Sequence, residues 1–164
     1  MKTLLIIRHA KSDWENGELH DIERPLADRG LRDAKLMGAV LAGKQIKPDL
    51  MISSPALRAF STCRIIADNL GYDKNLIRVD QQLYFGEIAD IISMLNEISP
   101  DIKTVCIFGH NPTFTLLSHT LCSNFGTEMP TCGVVALEFN TNDKSISKPE
   151  TGKFLWFDFP KNNS

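Results

Sequence analysis

Three short apolar runs, Leu4-Leu5-Ile6-Ile7, Leu50-Met51-Ile52 and Val105-Cys106-Ile107-Phe108, constrain the fold of this chain more than any other feature. Each is apolar on successive residues rather than on alternate ones. As strands they need cover on both faces, which is the pattern of a parallel sheet sheathed by helices. The segments between them supply that cover. Leu31, Ala34, Leu41 and Ala42 recur at helical spacing between Asp28, read as a cap, and Gly43. Leu57, Ile65, Ile66 and Leu70 do the same between Pro55 and Gly71, and Ile88, Ile91, Ile92 and Leu95 do so ahead of Pro100. Pro112 to Cys122 reads as another helix, Ile77–Val79 as a short strand, and Val134–Phe139 and Phe154–Phe159 as late edge strands. The expected architecture is a single-domain, three-layer α/β/α sandwich over residues 1–164 with a mainly parallel central sheet. Trp14–Pro25 is expected as a polar loop, Thr141–Lys153 as a mobile connector and residues 160–164 as a frayed tail.

Composition removes several function classes. A formal charge of −2 over 164 residues argues against nucleic acid as the partner, because tracking a phosphate backbone takes many Lys and Arg. Cys63, Cys106, Cys122 and Cys132 form no C-x-x-C pair, and Cys106 sits inside an apolar run, so the four read as reduced packing residues. The opening Met1-Lys2-Thr3, four apolar residues and then Arg8 fall short of a secretion signal. No segment approaches the roughly 18 apolar residues of a membrane span. A cytoplasmic protein with no membrane partner is the expectation.

Cationic residues stand where the buried runs stop: Arg8-His9 after the first, Arg58 beyond the second, His110 beyond the third. In an open α/β sheet the ligand crevice lies outside the carboxyl ends of the strands, where residues distant in sequence converge. Two arginines and two histidines suit a dianionic phosphoryl group. Ser54-Pro55 and Asn111-Pro112 each read as an N-cap followed by proline at the first helical position, which would aim two helix dipoles at the same anion. His9 is the candidate nucleophile: an imidazole held through one nitrogen attacks phosphorus with the other, giving a phosphohistidine that water hydrolyses. Arg8 and Arg58 would clamp the nonbridging oxygens, and a protonated His110 would add a further donor. No metal or cofactor is expected, since the cations supply the charge and the histidines lack zinc-ligand spacing. Ser12 and Asn111 are secondary candidates for phosphate contact. The polar loop carries Asp13, Glu15, Glu18, Asp21 and Glu23 around Trp14, and reads as a solvated acidic face.

These residues carry a resemblance. Arg8-His9-Ala10, Arg24-Pro25-Leu26 with Arg29-Gly30, Ser53-Ser54-Pro55-Ala56-Leu57-Arg58 and Gly109-His110-Asn111-Pro112 follow the order of the histidine phosphatase superfamily. Compact size and the R-P-L-x-x-R-G segment are most similar to its SixA-type phosphohistidine phosphatases. The resemblance implies an α/β/α fold, a covalent phosphohistidine on His9, phosphate binding by Arg8, Arg58 and His110, and phosphohistidine on phosphotransfer proteins as substrate. Two positions depart from the pattern. Ala10 replaces the usual glycine after the histidine, which is tolerable at negative φ. Asn111 stands where many relatives have the acid that protonates the leaving group, and Glu87 is the nearest substitute. An alkoxide leaving group benefits from such an acid, whereas imidazole leaves far more easily, particularly when already protonated in the phosphoramidate, so the absence favours an N–P bond. A small-molecule phosphomonoesterase and a non-catalytic phospho-ligand binding module are the alternatives.

Overall fold

The computed structural model describes residues 1–140 and 149–164. Its strands are β1 (Lys2–Arg8), β2 (Leu50–Ser53), β3 (Arg78–Val79), β4 (Thr104–Gly109), β5 (Val134–Phe139) and β6 (Lys153–Asp158). They form one sheet in the order β3-β2-β4-β1-β5-β6. The β3-β2-β4-β1 half is parallel, and β5 and β6 close the edge antiparallel, giving the mainly parallel sheet expected.

Side chains on successive strand residues point to opposite faces, and the apolar runs therefore feed two cores. Leu4, Ile6, Ile52, Val105 and Ile107 pack on one face with α4 (Ile88–Asn96) and α5 (Thr113–Leu121). Leu5, Ile7, Met51, Cys106 and Phe108 pack on the other with α1 (Asp28–Gly43) and α2 (Leu57–Leu70). This is the three-layer sandwich, and each buried Leu or Ile contributes roughly 1.5–3 kcal/mol to it relative to exposure. All four cysteines are free and buried. Among the described residues, no helix is long and apolar enough to cross a membrane.

Several local expectations are corrected. Asp28 is the first residue of α1, not its cap; Ala27 holds that position. α2 starts after Ala56 and α5 after Pro112, so neither Ser54 nor Asn111 is the N-cap and neither proline is the first helical residue. Asn111 still serves the first turn of α5, its Oδ1 accepting from the Thr115 N–H and hydroxyl at 3.2 and 2.9 Å. The polar loop contains a 3-10 turn at Asp21–Glu23, and a short helix, α3 (Gln82–Phe85), precedes α4. The connector expected over Thr141–Lys153 lies outside the described residues as far as residue 148. At its far end the Gly152 N–H donates to the Leu121 carbonyl at 2.8 Å. The tail is not frayed: Pro160–Asn162 is a 3-10 turn, Pro160 is buried, and Asn163 Nδ2 donates to Asp158 Oδ1 at 2.8 Å.

Gly109 ends β4 one residue before His110, and a Cβ there would stand 2.4 Å from Cζ of the fully buried Phe114 ring. Gly109→Ala is expected to destabilise the fold by about 1–3 kcal/mol through overpacking, read from urea melts. Unchanged stability would mean that the Phe114 ring yields without strain.

Candidate active site

Strand order and register assemble the site. Arg8 pairs with Gly109 and Ser53 with Phe108, so the residues that follow them, His9, His110 and Ser54, emerge side by side at the carboxyl edge of three adjacent strands. The His9 N–H donates to the Gly109 carbonyl at 3.0 Å, and the His9 carbonyl accepts from the Cys132 N–H at 3.0 Å. The nucleophile candidate is thereby pinned between β4 and the turn before β5. Arg58 arrives on the first turn of α2.

His9 is 8% exposed, and its Nδ1 lies 2.7 Å from the Ala10 carbonyl. A carbonyl only accepts, so Nδ1 carries the hydrogen and Nε2 is left with its lone pair. Ala10 is absent from the positive-φ residues, and its N–H donates to Thr62 Oγ1 at 3.0 Å; the methyl group in place of hydrogen is accommodated. Thr62 in turn donates to the Arg58 carbonyl at 2.7 Å.

The imidazole of His110 lies 5.1 Å from that of His9 between ring centroids, with Nε2 2.8 Å from Ser54 Oγ. Both histidines are kept neutral. His9 is pushed down to about 4, by burial first and then by the charges of Arg58, Arg8 and Arg24, against the Ala10 hydrogen bond. His110 is pushed down to about 3, by burial first and then by positive charge at His9, Arg58 and Arg8, with Asp21 pulling the other way. His110 is therefore a neutral imidazole at neutral pH, not the imidazolium considered above.

The arginines are held at their backs. Arg8 Nη1 donates to the Met129 carbonyl at 2.8 Å. Arg58 donates through Nη1 to the Asp21 carbonyl at 2.8 Å and through Nη2 to Asp21 Oδ2 at 3.0 Å. Among the described residues, Arg8 Nε, Arg24 Nε and Nη1, and His110 Nδ1 are buried without a hydrogen-bond partner. Buried guanidinium donors without acceptors are costly to a fold, and an oxyanion among them would satisfy those hydrogens.

The secondary candidates fare unevenly. Ser12 is buried, but its Oγ accepts from Arg24 Nη2 at 2.8 Å. Asn111 Nδ2 donates to the Met129 carbonyl at 2.9 Å, sharing it with Arg8, so this side chain braces the loop. Glu87 is exposed at the N-cap of α4, and the structure joins it to the pocket by no hydrogen bond or ion pair. Residue-by-residue reading missed four participants: Ser54 as the partner of His110, Tyr84, Asp21, and Arg24. Arg24 is 7% exposed, with its guanidinium 3.3 Å from the centroid of the Trp14 ring. Its place in the R-P-L-x-x-R-G segment was the available signal. Tyr84 and Asp21 had none, because no periodicity marks either segment.

Comparison with known proteins is consistent with this geometry. The model of the histidine phosphatase superfamily (branch 1) matches residues 4–89, more than half of the chain. The uncharacterised protein Rv1276c of Mycobacterium tuberculosis is 32% identical over 140 residues, which are 85% of each chain. A 2,3-bisphosphoglycerate-dependent phosphoglycerate mutase of Allorhizobium ampelinum is 39% identical over 91 residues, 54% of this chain and 43% of that one. The solved structure of the protein histidine phosphatase SixA complexed with tungstate superposes with a TM-score of 0.84 at 22% identity, over 99% of both chains. The chain belongs to the histidine phosphatase superfamily, whose members are phosphatases or mutases.

Proposed function

We propose that this chain is a phosphatase that transfers a phosphoryl group from phosphohistidine on a protein to His9 and then to water. The observation that carries the reading is the His9 Nδ1 to Ala10 hydrogen bond, which leaves a neutral imidazole with Nε2 free inside a ring of guanidiniums. Nε2 attacks phosphorus, and the bond from phosphorus to the substrate imidazole breaks as that ring, already protonated on its other nitrogen, leaves with the electron pair as neutral imidazole. Water then attacks phosphorus, the Nε2–P bond breaks, and His9 regains its lone pair as phosphate and a proton depart. Arg8 and Arg58 hold the nonbridging oxygens through both steps, and His110 donates an N–H to the same group. Guanidiniums stay charged in proteins, so the cage supplies the positive charge that a metal ion supplies elsewhere. That a fold relative is seen with tungstate, a tetrahedral oxyanion, fits such a cage.

The substrate class follows from the missing acid. Asn111 is committed to the loop, Glu87 stays outside, and Asp21 is held ionised, chiefly by the Tyr84 hydroxyl and then by Arg58. Among the described residues these leave no carboxylic acid placed to protonate an alkoxide, which supports imidazole as the leaving group.

Phosphate release from a phosphohistidine-bearing protein is expected without added metal, lost in His9→Ala and lowered about 10²–10³-fold in Arg58→Ala. Preference for an alkyl phosphate would make the chain a phosphomonoesterase. Phosphate-dependent binding without turnover would make it a binding module.

A second expectation concerns stability. Unfolded His9 binds a proton near pH 6.5 that folded His9 refuses until about pH 4. Stability from this group is present above that window and declines as pH falls through it, by about 3 kcal/mol in all. Urea melts at pH 7 and pH 5 should show His9→Ala losing about 2 kcal/mol less than the parent over that interval. Equal losses would mean that His9 titrates normally in the fold.

A further inference from the structure

Asp21 stands in a loop whose composition reads as a solvated acidic face, yet Arg58, Tyr84 and Arg24 all meet at it. Its carbonyl accepts from Arg58 Nη1 at 2.8 Å. Oδ2 accepts from Arg58 Nη2 at 3.0 Å and from the Tyr84 hydroxyl at 2.6 Å. Oδ1 lies 3.7 Å from Arg24 Nη1. The Tyr84 ring in turn lies 5.4 Å from that of His110. The side chain is still 52% exposed, so this fixed charge faces both the cage and the solvent at its mouth.

Charge counting gives the placement a meaning. Arg8, Arg24 and Arg58 bring three positive charges, both histidines are neutral, and Asp21 removes one. Glu128 also acts on Arg8, so these groups carry no more than two net positive charges, enough for a single phosphoryl dianion and not for a second anion. Arg58 keeps Nε–H and one further hydrogen on each terminal nitrogen for that dianion, so Asp21 and the ligand do not compete for the same hydrogens.

We propose that Asp21 is a specificity-determining residue: its carboxylate limits the cage to one phosphoryl dianion and turns away substrates that carry a second anionic group beside it. A phosphohistidine ring protonated at its other nitrogen, by contrast, meets an attractive charge at the mouth. Exposed Glu15, Glu18 and Glu23 in the same loop extend the same sign of field outward. The proposal deepens the phosphohistidine reading and rests on its assignment of the pocket.

Methylphosphonate and phosphonoacetate differ by one carboxylate, and neither has a bond this chemistry hydrolyses. Calorimetric titration of both, at a pH where the phosphonates are fully ionised, should show the parent binding phosphonoacetate about tenfold more weakly or worse. Asp21→Asn keeps an oxygen for Arg58 and Tyr84 but loses the charge, and should bring the two within about threefold while tightening both. Tyr84→Phe removes a hydroxyl and leaves the charge, so its discrimination should equal the parent's. The proposal is overturned by equal binding in the parent, by unchanged discrimination in Asp21→Asn, or by a Tyr84→Phe variant that behaves like Asp21→Asn. Because neither ligand is turned over, failure to hydrolyse phosphohistidine would overturn the reaction assigned above and leave this result standing on its own.

Discussion

The hydrogen bond from His9 Nδ1 to the Ala10 carbonyl decides which nitrogen of the imidazole can act, and the surrounding structure is arranged to hold that carbonyl still. The Ala10 N–H is tied to Thr62, Thr62 is tied to the Arg58 carbonyl, and the His9 backbone is bonded on one side to Gly109 and on the other to Cys132. The tautomer of one ring is thus linked to the helix that carries Arg58, to the strand that carries His110 and to the turn before the antiparallel edge. An isolated imidazole has no such preference. The fold imposes it through short bonds between segments far apart in the chain.

Electrostatics follow from the same enclosure. Two buried imidazoles beside three guanidiniums cannot hold protons without an anion, which keeps the proposed nucleophile unprotonated and leaves the positive charge on groups that do not lose it. The arrangement costs stability, since buried donors on Arg8 and Arg24 go without acceptors. The two apolar cores on either side of the sheet offset that cost.

How much of this was legible in the sequence depended on the range of the signal. Unbroken apolar runs announced buried strands, and the strand-end positions of Arg8, His9, Arg58 and His110 announced where they would meet, because parallel strands deliver their carboxyl ends to one edge. Capping was misread where tertiary contacts took over: Ser54, read as a cap, faces His110, and the first turn of α2 begins two residues later than Pro55 would have started it. Asp21 was read as solvated because a three-residue 3-10 turn leaves no periodic trace, and its partner Tyr84 lies 63 positions away. Arg24 was quoted within a motif, but its burial under Trp14 depends on a side-chain contact that spacing does not reveal.

The connection from β3 to α4 passes by the pocket, with Tyr84 touching Asp21 and facing His110, while residues 82–87 take no part in sheet pairing. Phe85 beside it is largely exposed. Extra residues added to this connection would grow outward above the aperture without displacing a strand. On the reading proposed above, a roof built there would stand in the way of a phosphoryl group still attached to a protein, and the short connection of this chain suits such a substrate. The length of this one crossover would then bear on substrate size separately from the residues proposed to perform the chemistry.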